Sequence, residues 1–404
     1  MWSDRLIPAL LRAQGISRLD DIPLDATGAD YGAWCAYYES DLSFRNLAGR
    51  WHPRRHTYAG LADTPEWARF FCMMEAAERA SGLSAHTMSR LAFEGGSGPA
   101  WAEFSPYAPE QWVWNASYPD AEPRWRVRAQ GWLSGTLVDV PADAVFPWWR
   151  SYAGRKAPLP EGEGGGFAAG FEWASDACAL RGLYEVVERD AAMLSWRVDA
   201  WPARALSLGL LDPRLRAYAK DTGLTLELFD VGDPQLAPVI IALLSRDDGE
   251  VVLGASCGVD VAAVADKATR EAFMLRGTAQ LLDRDTPPLT VDAVLDSADH
   301  LVYAWRHGGE VLAWYRRKAR RDAPPSGAGD NLAERCARTF GAEPLIIDVT
   351  HPELVAWRIR VMRILQPNAF RKEYRHAWRY AGGTRLRVLC PDPKAIHTAP
   401  HPIG

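Results

Sequence analysis

The sequence predicts a mixed α/β (α+β) fold holding two related buried helices, and three observations predict it. Apolar strand-like runs alternate with long helical stretches. The pattern E-x-x-E-R occurs twice, each time inside an almost wholly apolar helical run. Finally, 404 residues, 48% of them hydrophobic and 24% charged, suffice for a large core divided over two or three lobes.

Taken in order, residues 1–50 hold an amphipathic helix at Arg5–Gln14 and then irregular polar segments with aromatics, among them Trp34, Tyr37 and Tyr38. Asp63-Thr64-Pro65 starts the first motif helix, a cap followed by proline at the first helical position, and Gly82 closes it. Residues 83–160 mix short strands, at Trp125–Arg128 and Thr136–Val140, with loops. A glycine cluster (Gly162, Gly164, Gly165, Gly166, Gly170) precedes the second motif helix, Asp176 onward, which Trp201-Pro202 ends. No Gly-Lys-Ser/Thr follows the glycines, so they are no P-loop; a flexible turn and an anion cradle both stay open. Three strands follow, LTLELFDV, PVIIALLSR and VVLGASCG, the last two joined by Asp247-Asp248-Gly249. Val264–Leu282 is helical. Residues 317–331, charged and rich in Pro and Gly, read as an exposed surface loop rather than a nucleic-acid patch. Strands at Leu345–Val349 and Trp357–Leu365 precede a proline-rich tail.

Composition excludes several classes. A net charge of −5 argues against a general nucleic-acid binder. The six cysteines (Cys35, Cys72, Cys178, Cys257, Cys336, Cys390) are scattered with no C-x-x-C pair, which fits reduced thiols in the cytoplasm. The N-terminus carries charges inside its apolar part and is no signal peptide, and no run is long enough to span a membrane.

The chemistry lies in the repeated pattern. Glu75, Glu78 and Arg79 are matched by Glu185, Glu188 and Arg189 at one constant offset. Within a helix, residues three apart share a face, and a helix apolar all round is buried. Buried carboxylates need a cationic partner. Either each pair forms salt bridges at a lobe interface, or the four carboxylates meet around hard cations. Like charges that close ionise together only when neutralised, and oxygen ligands select magnesium, whose shell substrate phosphates complete. Arg79, Arg189 and Arg181 could then meet phosphate oxygens.

The runs G-G-G-F-A-A-G and R-G-L-Y-E-V-V-E-R-D-A resemble the signature of the YcaO-domain family, N-G-x-A-A-G then E-x-x-E-R-D. C-M-M-E-A-A-E-R resembles that family's first motif, S-x-x-E-x-x-E-R. G-A-S-C-G-V-D with its alanine-rich helix resembles the middle section, and G-G-T-R-L with P-H-P-I-G the end of the peptide-cyclising members. The resemblance runs from about residue 50 to the end. It implies a YcaO-type fold of two pseudo-repeated lobes, each supplying an E-x-x-E-R helix to a central ATP site: a segment 1–50, then a domain 51–404 with halves at about 51–160 and 161–404.

The resemblance further implies an azoline-forming cyclodehydratase (D-type) subunit using ATP and Mg2+, in the biosynthesis of a bacteriocin or antibiotic peptide. Glu75, Glu78, Glu185 and Glu188 would be metal ligands, joined around ATP by Cys72, Arg79, Arg181 and Arg189. Gly404, presented by Pro402, would act catalytically through the terminal carboxylate; a floppy end is the alternative. Implied partners are a ribosomal precursor peptide, an E1-like leader-binding protein, a flavin-dependent dehydrogenase and a second copy in a homodimer. Thioamide or amidine formation, a stand-alone heterocyclase and a non-catalytic scaffold subunit are the rival roles. Three positions depart from the family pattern: Cys72 replaces serine, Gly165 replaces asparagine, and Leu275 stands where relatives of A-L-x-E-x-x-Q carry glutamate, with Glu271 nearby.

Overall fold

The computed structural model describes residues 19–21, 34–45, 51–62, 64–96, 98, 104, 125–147, 149, 165–247, 249–319, 331–373 and 376–403. The helix expected at Arg5–Gln14, Gly162 and Gly164, and most of the 317–331 loop lie outside these residues. In chain order the strands are β1 Leu19–Asp21, β2 Trp34–Arg45 and β3 Trp51–Ala62, followed by helices α1 Pro65–Leu83 and α2 Ala85–Leu91. Next come β4 Ala92–Glu94, β5 Trp125–Gly131, β6 Leu137–Pro141, the short α3 Ala142–Val145, β7 Gly166–Phe171 and the long α4 Ser175–Arg197. Then follow β8 Arg204–Leu206, α5 Pro213–Asp221, β9 Thr225–Asp230, β10 Val239–Ser245, β11 Val251–Cys257 and α6 Val261–Asp285. The chain ends with α7 Ser297–Arg306, α8 Gly308–Lys318, α9 Leu332–Phe340, β12 Leu345–Asp348, α10 Pro352–Val355, β13 Ile359–Leu365 and α11 Thr384–Leu389.

These elements form two compact units. Unit 1 comprises Met1–Ser105, Pro109–Val186 and Ala342–Pro367; unit 2 comprises Pro106–Ala108, Val187–Gly341 and Asn368–Gly404. Unit 1 contains a sheet of order β1-β2-β3 and a second of order β4-β5-β12-β13-β7, with β6 on β5. Every pair is antiparallel. Unit 2 contains an antiparallel sheet of order β11-β10-β9-β8. In a region expected to be partly irregular, β2 and β3 pair antiparallel along their whole length, with Trp34 opposite Ala62 and Arg45 opposite Trp51.

Strands β3, β7 and β11 are each the last strand of their sheet, and each lies against a helix through one glycine. A Cβ on Gly60 would come within 2.1 Å of Ala68 O and 2.3 Å of Cys72 N on α1. A Cβ on Gly166 would meet Gly182 O of α4 at 1.7 Å, and one on Gly254 would meet Ala268 O and Ala272 N of α6 at 2.2 and 2.5 Å. Backbone cannot yield as a side-chain tip can, so these strands approach their helices as closely as two main chains allow. Gly254→Ala is therefore expected to cost about 1–3 kcal/mol by overpacking, read as a lowered urea midpoint at unchanged slope.

For the described part of the glycine cluster, this arrangement replaces the flexible turn with a strand. Gly165, Gly166 and Gly170 belong to an edge strand and its approach, and the 3-10 turn Glu172–Ala174 separates them from the start of α4. Two helix ends also differ from expectation. Gly82 lies inside α1, which runs to Leu83 and meets Ser84; the bare glycine makes room for the Phe167 ring. Helix α4 stops at Arg197, before Trp201. The start of α1 is as read, with Thr64 accepting the Trp67 N–H at 3.3 Å.

Lys318, in the stretch expected to be exposed, is buried at the end of α8. Its ammonium donates to Ser195 O and Val198 O, both at 2.6 Å, capping the carbonyl end of α4 where a cation is favoured. Cys72, Cys178, Cys257, Cys336 and Cys390 are buried and form no disulfide. Among the described residues no helix is long and apolar enough to cross a membrane.

Candidate active site

The carboxylates of the repeated pattern are held by the backbone of edge strands. An outer strand leaves alternate N–H groups without a ladder partner, and a carboxylate is a strong acceptor for them. Glu75, on α1, accepts the Ala59 N–H of β3 at 2.7 Å. Glu185, on α4, accepts the Phe167 N–H of β7 at 2.5 Å, and Glu78, on α1, accepts the Ala169 N–H of the same strand at 2.8 Å. One strand thus brings Glu78 and Glu185, distant in sequence, to amides two residues apart.

This proximity is electrostatically expensive. Burial, then the Glu185 charge, and in smaller measure Glu75, push the Glu78 carboxyl up to about 8, against the opposing pull of the Ala169 amide and Arg79. Glu75 is eased by Arg79, 3.6 Å away. Arg181 donates to Ala169 O at 2.6 Å, so both polar groups of Ala169 are engaged on the outer edge. Cys72, also expected at the site, is buried in the core of unit 1 among Tyr58, Met73 and Ala76.

In unit 2, Glu188 is half-buried one turn beyond Glu185 on α4, followed by half-buried Arg189. Burial first and the Glu188 charge second raise the Cys257 thiol well above its ordinary value, placing Glu188 within reach of the end of β11. Asp190, the last motif residue, turns the other way. It is fully buried, accepts the Phe370 N–H at 2.7 Å, and pairs with Arg385 at 2.9 Å. Arg385 also reaches Asp233 at 2.6 Å and lies over the Trp201 and Phe340 rings. Arg385 belongs to the G-G-T-R-L run, so the structure joins two pieces of the family pattern whose pairing neither sequence position announces.

The tail is ordered within unit 2. Arg197 donates to His397 O at 2.8 Å and Ala399 O at 2.7 Å and forms a fully buried ion pair with Glu373; Trp196 Nε1 donates to Ala399 O at 3.1 Å. The His401 ring stacks on His300 at 3.7 Å between centroids. Pro402 is buried and Ile403 forms a parallel bridge with Leu253 on β11, while Gly404 lies outside the described residues. Burial holds the His300 and His376 imidazoles down to about 3 and His397 to about 4. Unfolding releases them to an ordinary value of 6.5. Below that pH the unfolded chain binds more protons, so stability falls with pH across the window from 6.5 to about 3. Urea denaturation at about pH 7 and pH 5 should show a clear loss at the lower pH; His300→Gln should reduce it.

Residues 59–369 match the model of the family described as YcaO cyclodehydratase, ATP- and Mg2+-binding. The chain belongs to the YcaO family. Its solved structural neighbours agree. YcaO from Methanopyrus kandleri, bound with AMPPCP and Mg2+, has a TM-score of 0.58 at 19% identity, covering 91% of each chain. A heterocyclase in complex with substrate and cofactor has a TM-score of 0.67 at 17% identity; the match covers 96% of this chain but 55% of that one. The E. coli microcin synthetase McbBCD complex scores 0.53 at 13% identity over 83% and 84% of the two chains. Among curated proteins the chain has no significant match.

A YcaO protein binds ATP and Mg2+, and the donor set here fits a hard divalent cation. The groups are carboxylates, crowded enough that one is pushed toward its neutral form, and a cation would relieve that repulsion. Among the described residues, no three His, Cys, Asp or Glu groups are arranged as a metal cluster; one oxygen of each of Glu75, Glu78 and Glu185 accepts a backbone amide.

Proposed function

We propose that this YcaO cyclodehydratase converts Cys, Ser or Thr residues of a ribosomal precursor peptide into thiazolines or oxazolines, through phosphorylation of a backbone amide oxygen. The observation that carries the site assignment is the convergence of Glu78 and Glu185 on the amides of Ala169 and Phe167, with the Glu78 carboxyl raised to about 8. Glu75, Glu78, Glu185 and Glu188 would hold the magnesium of the nucleotide, and Arg79, Arg181 and Arg189 would meet its phosphates. Bound Mg2+ supplies charge neutralisation at the triphosphate.

In the reaction, a thiol or hydroxyl of the peptide adds to the preceding carbonyl carbon. The resulting oxygen takes the γ-phosphoryl group of ATP and departs as phosphate, leaving a C=N bond in the ring. An amide oxygen is a poor leaving group and a phosphate a good one, which is why ATP is consumed. The chain's own residues orient the triphosphate and hold the tail, whose Ile403 bridges Leu253 of β11; Pro402 and Gly404 take part in catalysis. A separate E1-like protein presents the precursor, a flavin-dependent dehydrogenase oxidises the azolines, and the assembly contains a homodimer of this chain. Action within a complex on a bound peptide is supported by the E. coli microcin synthetase McbBCD complex with pro-MccB17 bound, a structural neighbour at a TM-score of 0.54.

A peptide carrying a heavy-oxygen label in the reacting carbonyl tests the mechanism. The label should appear in inorganic phosphate; label retained in the peptide, or released into water, would exclude amide-oxygen phosphorylation.

A further inference from the structure

The start of α1 and the turn after β7 carry a row of aromatic rings that the carboxylate chemistry leaves unused. Trp67 and Phe71 of α1 and Trp173 of the turn are 57%, 42% and 72% exposed. Two half-buried rings join them. Trp173 stacks on Phe171 at 4.4 Å between centroids and 7° between planes, and Phe171 meets Phe70 at 5.8 Å. Trp67 and Phe71 lie 5.5 and 5.8 Å from Phe70. A single exposed ring is ordinary, but a tryptophan already stacked on a neighbour has little freedom left to lose on binding. The turn is itself fixed: the Glu172 N–H donates to Arg358 O at 2.7 Å, and the Glu172 carboxylate pairs with Arg360 at 2.5 Å.

The row leads to the carboxylates, all of it within unit 1. On α1, Trp67, Phe71 and Glu75 follow at intervals of four and share a face. On β7, Phe171 comes two residues after Ala169, whose amide holds Glu78, and four after Phe167, whose amide holds Glu185. Phe71 and Trp67 are therefore about 6 and 12 Å along the helix from Glu75, distances that about two and four residues of extended peptide cover. The area offered is small. Aromatic side chains bury about 150–250 Å² each, so the three exposed rings present on the order of 400 Å², well below the roughly 800 Å² per partner of a stable protein interface. It is also more than one flat nucleobase can use, because the rings stand on two elements at angles from 7° to 89°. A short peptide segment meets both limits.

We propose that Trp67, Phe71 and Trp173 form a platform for the peptide substrate, selecting an aromatic residue about two to four positions from the Cys, Ser or Thr that reacts. The proposal rests on the reading of Glu75, Glu78 and Glu185 as part of the site of that reaction.

Two synthetic probes test it: acetyl-Phe-Gly-Gly-Cys-Gly-Gly-Phe-amide, and the same peptide with alanine at both ends. Their affinities are measured by saturation-transfer NMR with AMPPCP and Mg2+ present, on the wild type, Trp67→Ala, Trp173→Ala and Glu78→Gln. Calorimetry measures AMPPCP binding, and circular dichroism checks folding. The wild type should prefer the phenylalanine probe by about fivefold or more. Both tryptophan variants should bind the two probes alike and keep wild-type affinity for AMPPCP with Mg2+. Equal affinity of the wild type for the two probes, with magnesium-dependent AMPPCP binding lost in Glu78→Gln, would overturn the platform alone. Loss of AMPPCP binding in Trp173→Ala would give the rings to the base and overturn it too, as would a wild-type dimer that Trp67→Ala dissociates, read by sedimentation. Wild-type AMPPCP binding by Glu78→Gln would overturn the reading of the carboxylates, and with it the platform's tie to the reacting residue.

Discussion

Glu78→Gln should make the nucleotide-free protein more stable at neutral pH while removing its response to magnesium. The folded Glu78 carboxyl titrates near 8 and the unfolded one near 4.5. Between these values the folded state binds more protons than the unfolded, so stability declines as pH rises through that window. At pH 7 the penalty is on the order of 2 kcal/mol, after allowance for the partial exposure of the side chain. Glutamine carries no charge and can still accept the Ala169 N–H. The variant should melt several degrees higher than the wild type without magnesium at neutral pH, and this difference should shrink as the pH is lowered from about 8 toward 5. Magnesium with AMPPCP should raise the melting temperature of the wild type through binding to the folded state and leave that of the variant almost unmoved. A variant that melts lower than wild type at neutral pH would show that the carboxylate is not crowded.

Arg197→Met should be the most damaging single change outside the carboxylate set. The guanidinium and its partner Glu373 are both fully buried, and Arg197 also binds the carbonyls of His397 and Ala399. Removing one member of a buried pair leaves the other charge uncompensated, at a cost of about 3–5 kcal/mol. Burial of the arginine already lowers its own affinity for a proton, to about 9, so the pair is costly even when intact. Adding Glu373→Gln should recover part of the loss, because the stranded charge disappears while the amide oxygen can still accept the Tyr380 N–H. Urea denaturation measures the stability, and carboxypeptidase digestion measures release of the tail. Arg197→Met with wild-type stability and a protected tail would mean that the histidine stack alone holds the segment.

Much of the site was legible because its signal is local. Two E-x-x-E-R runs in apolar surroundings marked α1 and α4, and the strand trio ending at Cys257 marked β9, β10 and β11. The partners of the carboxylates were not legible. Residue types suggested an arginine or a cation, and for Glu75 an arginine is indeed near; but the immediate partners of Glu75, Glu78 and Glu185 are main-chain N–H groups, which every residue except proline possesses and no side chain advertises. Nor does sequence show that β7 is an outer strand. That follows from its pairing with β13, roughly half the chain away, which leaves Phe167 and Ala169 facing outward. The same limit explains Gly82, which resembled a helix stop but makes room for Phe167, and Lys318, which belonged to a charged run but caps α4. In each case the deciding neighbour comes from a distant part of the chain. The tail was read from its prolines; its anchors, Arg197 and His300, gave no such sign because a lone arginine or histidine has many common uses.

The glutamates that cover the strand edges have a consequence beyond nucleotide chemistry. A bare outer strand is a template on which a second molecule can add its own strand, and charge at the edge is a common deterrent. In β7 the deterrents are Glu78 and Glu185 themselves. Alanine at these positions would strip the edge as well as the site, exposing the Phe167 and Ala169 amides to intermolecular pairing. Losses of soluble protein in such alanine variants would then report sticking between molecules, whereas glutamine, which keeps the edge covered, reports the chemistry.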